Sequence, residues 1–150
     1  MSSIVTEVFL KLVRLGVGNN NYKDFTRTEN ISEEQWEEVK SLAERQGLLA
    51  VVTDGLENMP QAIQPPKLIK LQFIAEVLQH YEHRHKLYMR AIAELAAFYN
   101  AHGFKMMILK GYACSLDWPK PEHRPCGDID VWLFGEYKAA NSAIARMYSL

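Results

Sequence analysis

The run from Lys67 to about His102 constrains the fold of this chain more than any other part of the sequence. Its apolar and aromatic residues, together with one histidine, recur by alternating steps of three and four: Leu71, Ile74, Leu78, Tyr81, His85, Tyr88, Ile92, Leu95 and Tyr99. That spacing predicts one long α-helix with a heptad-like seam, in which His85 is the only strongly polar member. At 1.5 Å per residue such a helix extends on the order of 50 Å, long enough to connect two parts of the molecule.

Three shorter helices are predicted before this run. Residues Ile4–Leu15 place apolar side chains at helical spacing with charges between them, which indicates an amphipathic helix. A second helix begins at Ser32, and Gln35 completes a capping box, in which each side chain satisfies a backbone N–H of the first turn. Leu48–Leu56 is predicted to be a short third helix. The buried stripe of the second helix is expected to consist of Trp36, Val39, Leu42 and Ala43.

The pattern changes after Gly103, where strands enter the sequence. Phe104–Leu109 is a short and nearly continuous apolar run, which predicts a buried strand. Helical turns are expected over Gly111–Trp118, and Asp128–Phe134 is predicted to be a second strand. A closing helix is expected over Glu136–Tyr148. Helices followed by a strand-helix-strand-helix unit predict an α+β fold.

Composition and charge exclude several classes of protein. Hydrophobic residues make up 48% of the chain and charged residues 23%, which is typical of a soluble globular protein. The net charge of -1 argues against an extended nucleic-acid surface, which usually carries a strong basic excess. No apolar run approaches the roughly 18 residues of a membrane span, so we expect no membrane partner. Cys114 and Cys126 have neither zinc-site nor disulfide-framework spacing, which favours a reducing cytoplasm.

Two carboxylates form the most informative motif. On a strand, successive side chains alternate faces, so Asp128 and Asp130 would point the same way and Ile129 and Val131 the other. Two acids about 6–7 Å apart along one face can hold the same divalent ion. Because magnesium prefers hard oxygen ligands and shares its shell with substrate phosphates, we expect Mg²⁺ as the cofactor, with Asp128 and Asp130 as its ligands.

Three further residues indicate a phosphate site. Gly111 follows the first strand where a helix is expected to begin, and a glycine there lets backbone N–H groups approach a phosphate closely. Lys110 and Arg124 would supply the fixed positive charge that phosphoryl transfer requires. The sequence therefore predicts a phosphate cradle of Lys110, Gly111 and Arg124.

These motifs, in this order, resemble the signature of polymerase-β-like nucleotidyltransferases: a strand ending in glycine, a short helix and a strand that carries Asp-x-Asp. The likeness is closer to a largely uncharacterised bacterial branch, through Leu109-Lys110-Gly111, Arg124-Pro125 and Asp128-Ile129-Asp130-Val131. It is specific over residues 103–134 and architectural before them. The resemblance implies a helical N-terminal bundle over residues 1–102, whose long helix leads into a partial nucleotidyltransferase palm over residues 103–150.

The same resemblance implies the transfer of a nucleoside monophosphate from a nucleoside triphosphate to an acceptor. In that reaction Asp128 and Asp130 are the catalytic metal ligands, and Lys110, Gly111 and Arg124 bind the phosphates of the NTP substrate. The acceptor is open among a protein, an RNA end, an antibiotic-like small molecule and a sugar.

Two departures from the superfamily pattern stand out. Tyr112 occupies the position after the glycine, where a small residue such as serine is usual, and the gap from Gly111 to Asp128 is longer than usual. The third carboxylate of the fold comes from a later strand, whereas the only acid after Asp130 is Glu136. We therefore expect the chain to be the N-terminal part of such an enzyme, with weak or no activity by itself.

Two other functions are open from the residues alone. A non-catalytic module would bind a partner through its helical half, and a metal-sensing module would use His80, His83 and His85. The long seam over residues 71–99 and an unpaired strand edge of the palm also predict association of two copies into a homodimer.

Overall fold

The computed structural model describes residues 3–19 and 31–135, together with Ser142 and Ala145. The described residues form an α+β fold, mostly helical with one small two-stranded sheet, as predicted. Its helices are α1 (Ser3–Gly16), α2 (Glu33–Arg45), α3 (Leu49–Glu57), α4 (Lys67–Glu76), a π-helical segment (Val77–Glu82), α5 (His83–Ala101) and α6 (Lys110–Ser115), with short 3-10 helices at Gln61–Ile63 and Pro121–His123. The strands are β1 (Lys105–Leu109) and β2 (Asp130–Phe134).

Close packing of α1 on α3 forms the centre of the helical bundle. A Cβ atom added at Gly55 would lie 2.2 Å from the carbonyl oxygen of Leu12, and one added at Gly16 would lie 1.9 Å from that of Val51. Since neither distance leaves room for a methyl group, each helix contributes a glycine that lets the other backbone approach. Gly16 therefore serves packing as well as ending α1.

The second helix forms as its sequence predicts. The Ser32 backbone N–H donates to Gln35 Oε1 at 2.9 Å, and the Gln35 backbone N–H donates to Ser32 Oγ at 3.3 Å, which completes the capping box. The prediction of its buried stripe is confirmed, because its buried residues are Trp36, Val39, Leu42 and Ala43.

The long helix is confirmed, with a change of geometry in its middle. Helical structure is continuous through α4, the π-helical segment and α5. Ile69, Phe73 and Val77 face the bundle core, and the buried line continues through half-buried Tyr81. In a regular α-helix, residues four positions apart are rotated about 40° beyond one full turn, so a line of such residues winds around the helix. The wider π-helical turns rotate the chain less per residue, which offsets this winding. Leu71 and Leu78, from the predicted seam, lie off this buried line and are 51% and 52% exposed.

The sheet is an antiparallel pair in which Leu109 lies opposite Asp130 and Met107 opposite Trp132. Side chains that pair across the strands share a face, and one face is open to solvent, with Met107 45% and Trp132 56% exposed. The prediction that the first strand is buried is therefore wrong. The predicted helix over residues 136–148 lies outside the described residues apart from Ser142 and Ala145. None of the helices in the described part of the chain is both long enough and apolar enough to cross a membrane.

Candidate functional site

The site lies at the end of the sheet where β1 passes directly into α6. Lys110 is the first residue of α6, and its φ of 39° is in the left-handed region that a non-glycine residue rarely adopts. Its side chain is 78% exposed, and its Nζ lies 3.6 Å from Asp130 Oδ1 on the neighbouring strand. Backbone strain at a charged residue is a feature that clusters at functional sites.

Asp128 reaches the same place through its backbone. β2 begins at Asp130, so Asp128 lies two residues before the strand instead of on it, which corrects the prediction of one strand carrying both acids. A Cβ atom at Gly111 would lie 3.1 Å from the Asp128 carbonyl oxygen. Gly111 therefore allows the segment before β2 to pack closely against the start of α6.

Arg124 closes the third side of the site. It belongs to the loop of residues 116–129 between α6 and β2, which we call the proline loop. Its Nη1 donates a 2.6 Å hydrogen bond to the Gly111 carbonyl oxygen, and its guanidinium carbon lies 6.0 Å from the ring centroid of Trp118. The structure thus brings the other four predicted residues close to Gly111: Arg124 and the Asp128 backbone contact it, and Lys110 beside it contacts Asp130.

Tyr112, which stands where the resemblance would place a small residue, packs α6 against α5. Its hydroxyl donates to Met89 Sδ at 2.7 Å, and its ring centroid lies 5.7 Å from that of His85. The tyrosine therefore fixes the short helix that carries Gly111.

A polar cluster around buried Asp54 and His123, which the sequence reasoning missed, holds the proline loop to the bundle. Asp54 on α3 accepts from Lys120 Nζ at 2.6 Å, and its other carboxylate oxygen lies 2.7 Å from His123 Nδ1. Lys120 also donates to Glu57 at 2.9 Å, and His123 Nε2 lies 3.7 Å from a Glu82 oxygen. We call these five residues the anchor cluster. His123 directly precedes Arg124 in the chain, so the anchor cluster also positions Arg124.

The anchor cluster favours charge on its two basic members. Burial opposes charge on His123, but the hydrogen bond and the negative charge of Asp54 outweigh it, so the pKa of His123 lies above its ordinary value. Burial likewise opposes charge on Lys120, and hydrogen bonds to Asp54 and Glu57 outweigh it and raise the pKa of Lys120. One sequence signal could have indicated the cluster: Asp54 is an acid within the apolar run of α3, and a buried acid needs a partner.

A cavity of about 210 Å³ opens between the long helix and the proline loop, with Arg84, His85 and Tyr88 on the helix side and Arg124 on the loop side. The Tyr88 hydroxyl donates to the Gly127 carbonyl oxygen. Arg84 Nη2 lies 3.3 Å from the same hydroxyl, and its guanidinium carbon lies 5.5 Å from the Tyr88 ring centroid. The hydrogen bond to Tyr88 is the main cause that raises the pKa of Arg84, and the negative charge of Asp128 also contributes.

The histidines of the long helix do not form a metal site. His80 is 59% exposed at its side chain and pairs with Glu76 at 3.2 Å, while His85 lines the cavity. Within residues 3–19 and 31–135, no group of three or more His, Cys, Asp or Glu side chains could hold a metal ion. Cys114 and Cys126 are both free thiols.

Comparison with known proteins gives one match. A family model described as an uncharacterised nucleotidyltransferase matches residues 32–147 of the 150. No curated protein and no solved structure matches the chain. The matched range begins at the capping residue of α2 and contains every residue of the site around Gly111. The chain therefore belongs to this family of nucleotidyltransferases.

Proposed function

We propose that the site around Gly111 transfers a nucleoside monophosphate from a nucleoside triphosphate to an acceptor. The observation that carries the proposal is that Arg124 and the backbone of Asp128 contact Gly111, while Lys110, the residue before it, contacts the Asp130 carboxylate. Arg124 is bonded to the Gly111 carbonyl, Lys110 lies 3.6 Å from Asp130, and the Asp128 backbone packs on Gly111. Nucleotidyl transfer needs this combination of anionic metal ligands and fixed positive charge.

Asp128 and Asp130 are the residues that would hold a divalent cation, and their donor chemistry fits Mg²⁺. Magnesium usually binds one or two protein carboxylates and completes its shell with water and substrate phosphate oxygens, so a two-acid site suffices. When bound, it neutralises charge on the triphosphate. The contact of Asp130 with the Lys110 ammonium supports this assignment, since it shows that the carboxylate already faces positive charge.

The basic residues of the site would bind and orient the triphosphate. Arg124 has one N–H bonded to Gly111, which fixes the plane of the guanidinium, and a fixed guanidinium suits bidentate contact with a phosphate. Lys110 would contribute a mobile point charge from the opposite side. Gly111 carries no side chain that would keep a phosphate from the backbone at the start of α6.

Ligand-dependent thermal stability tests this proposal. ATP or GTP with Mg²⁺ should raise the melting temperature of the chain, because a ligand that binds only the native state stabilises it. The double variant Asp128→Asn with Asp130→Asn should lose this shift. Asp117→Asn, an exposed acid outside the site, should keep it and serves as the matched control. The proposal fails if none of the four common triphosphates shifts the wild-type transition, or if the double variant responds as the wild type does.

We further propose that two copies of the chain associate through an exposed apolar face of the long helix. Leu68, Leu71 and Leu78 are 71%, 51% and 52% exposed, and leucines this exposed on one helix are typical of interaction surfaces. The outer edges of the two-stranded sheet offer a second route to the same assembly. Light scattering at several concentrations should show a dimer that the double variant Leu71→Glu with Leu78→Glu dissociates, while Gln72→Glu leaves it intact. A wild-type monomer at every concentration would exclude this interface.

A further inference from the structure

The cavity between α5 and the proline loop shares Arg124 with the proposed transfer site, but its other lining side chains have no role in that site. Two guanidinium groups, those of Arg84 and Arg124, line it together with the aromatic rings of His85 and Tyr88. Glu122 is the single acid among its described lining residues. The cavity therefore combines an excess of positive charge with ring faces, which suits an anionic group attached to an organic body.

The Tyr88 hydroxyl contacts both sides of the cavity. It donates to the Gly127 carbonyl and also lies 3.3 Å from Arg84 Nη2, so one side chain connects the helix to the segment that leads to Asp128. A ligand in the cavity would therefore lie beside the segment that leads to Asp128.

The volume limits what the cavity can hold. At about 210 Å³ it is smaller than the roughly 300–1,000 Å³ of typical small-molecule pockets. A whole nucleoside triphosphate does not fit such a space, whereas a phosphate with a small organic body does. Lys110 and Asp130, at the end of the sheet, do not line the cavity, so Lys110 and Arg84 are positive charges at different places, and Arg124 is common to both.

We infer that this cavity is the acceptor pocket and that the acceptor is a small molecule bearing a phosphate group. The inference rests on the proposed nucleotidyl transfer. Arg84 would bind the phosphate, and Tyr88 and His85 would pack on the organic body. Transfer then forms a bond from an acceptor hydroxyl oxygen to the α-phosphorus, breaks the bond from that phosphorus to the pyrophosphate oxygen and releases the hydroxyl proton to solvent.

Binding of phenyl phosphate, measured by calorimetry, tests the pocket without requiring turnover. The wild-type chain should bind it more tightly than it binds benzoate or phenol. Arg84→Ala should weaken binding about tenfold or more, the range expected for a lost charged hydrogen bond. Arg90→Ala, at an exposed arginine on the same helix, should leave binding unchanged. Arg84→Lys should recover part of the affinity, and matching melting temperatures would show that the variants are folded.

A second measurement distinguishes an acceptor pocket from a pocket for the nucleotide's own phosphates. With a saturating non-hydrolysable ATP analogue and Mg²⁺, phenyl phosphate should still bind with unchanged affinity. Competition between the two would assign the cavity to the nucleotide's own phosphates and overturn the inference. Equal losses in Arg84→Ala and Arg90→Ala, preference for benzoate, or no binding to the wild type would overturn it as well. The double variant Asp128→Asn with Asp130→Asn should lose the ATP analogue and keep phenyl phosphate, so a failure of the transfer site is distinguishable from a failure of the pocket.

Discussion

Replacing Asp54 with asparagine removes one negative charge from the anchor cluster while keeping the side-chain volume. The Asp54 carboxylate is 9% exposed and has two cationic neighbours, Lys120 at 2.6 Å and His123 at 2.7 Å. His123 is 6% exposed at its side chain, so its partner cannot be replaced by bulk water. Lys120 keeps its contact with Glu57 after the substitution.

The expected loss of stability follows from this geometry. Removing one partner of a buried ion pair costs about 3–5 kcal/mol, because the other charge is left without compensation. The asparagine oxygen can still accept a hydrogen bond and Lys120 keeps one carboxylate, so the lower end, about 3 kcal/mol, is expected. For a chain of this length that corresponds to a fall in melting temperature of roughly 6–12 °C.

The loss should also depend on pH. Because the pKa of His123 is raised above the ordinary value of 6.5 in the folded chain, its stabilising contribution is fully present below 6.5 and disappears as pH rises through the folded value. The difference in unfolding free energy between wild type and Asp54→Asn should therefore be larger at pH 6 than at pH 9.

Urea unfolding at both pH values measures this difference. Glu57→Gln is the matched control: it removes the other acid that contacts Lys120, at a side chain 59% exposed, and should cost at most about 1 kcal/mol at either pH. A pH-independent difference, or a cost for Asp54→Asn no greater than that of Glu57→Gln, would refute the assignment of the cluster as a buried ion pair.

Two substitutions test the backbone geometry. Gly55→Ala should destabilise the chain by about 3 kcal/mol or more in thermal unfolding, because its methyl group would overlap the Leu12 carbonyl oxygen at 2.2 Å. Gly127→Ala is the control and should be nearly neutral, because the space around Gly127 is open. Equal effects of the two substitutions would contradict the packing of α1 on α3. Lys110→Gly should raise the free energy of unfolding in urea by about 1 kcal/mol, because glycine tolerates the left-handed backbone conformation. The same variant should bind ATP more weakly in calorimetry. A destabilised variant would show that the Lys110 backbone is not strained.

Local features of the sequence were sufficient to predict much of the fold. The capping box of Ser32 and Gln35 and the buried stripe of α2 depend on residues three or four apart, so their spacing is visible in the chain itself. The continuous helix over residues 67–101 was predicted for the same reason. Its rotation through the π-helical segment was not predicted, because a helical period does not reveal where one turn is wider than the next.

The residues of the candidate site were predictable, but the long-range contacts that hold the proline loop in place were not. Lys110, Gly111 and Asp130 lie near one another because β1, α6 and β2 are consecutive along the chain. The pairing of Asp54 with His123 spans 69 positions, and no local pattern indicates such a contact. The cavity was missed for a similar reason, because Arg84 and Arg124 meet only when the long helix and the proline loop pack together.

The π-helical segment has a consequence for how this chain tolerates changes in length. Ile69, Phe73 and Val77 face the bundle, and Arg84 and Tyr88 face the proline loop, because the wider turns between them hold additional chain. Deleting one residue between Val77 and Glu82 would let the wider turns close to regular α-helical turns, so Arg84 and Tyr88 would still face the proline loop. We therefore expect this stretch to tolerate the loss of one residue, which elsewhere in a helix turns every later side chain by about 100°.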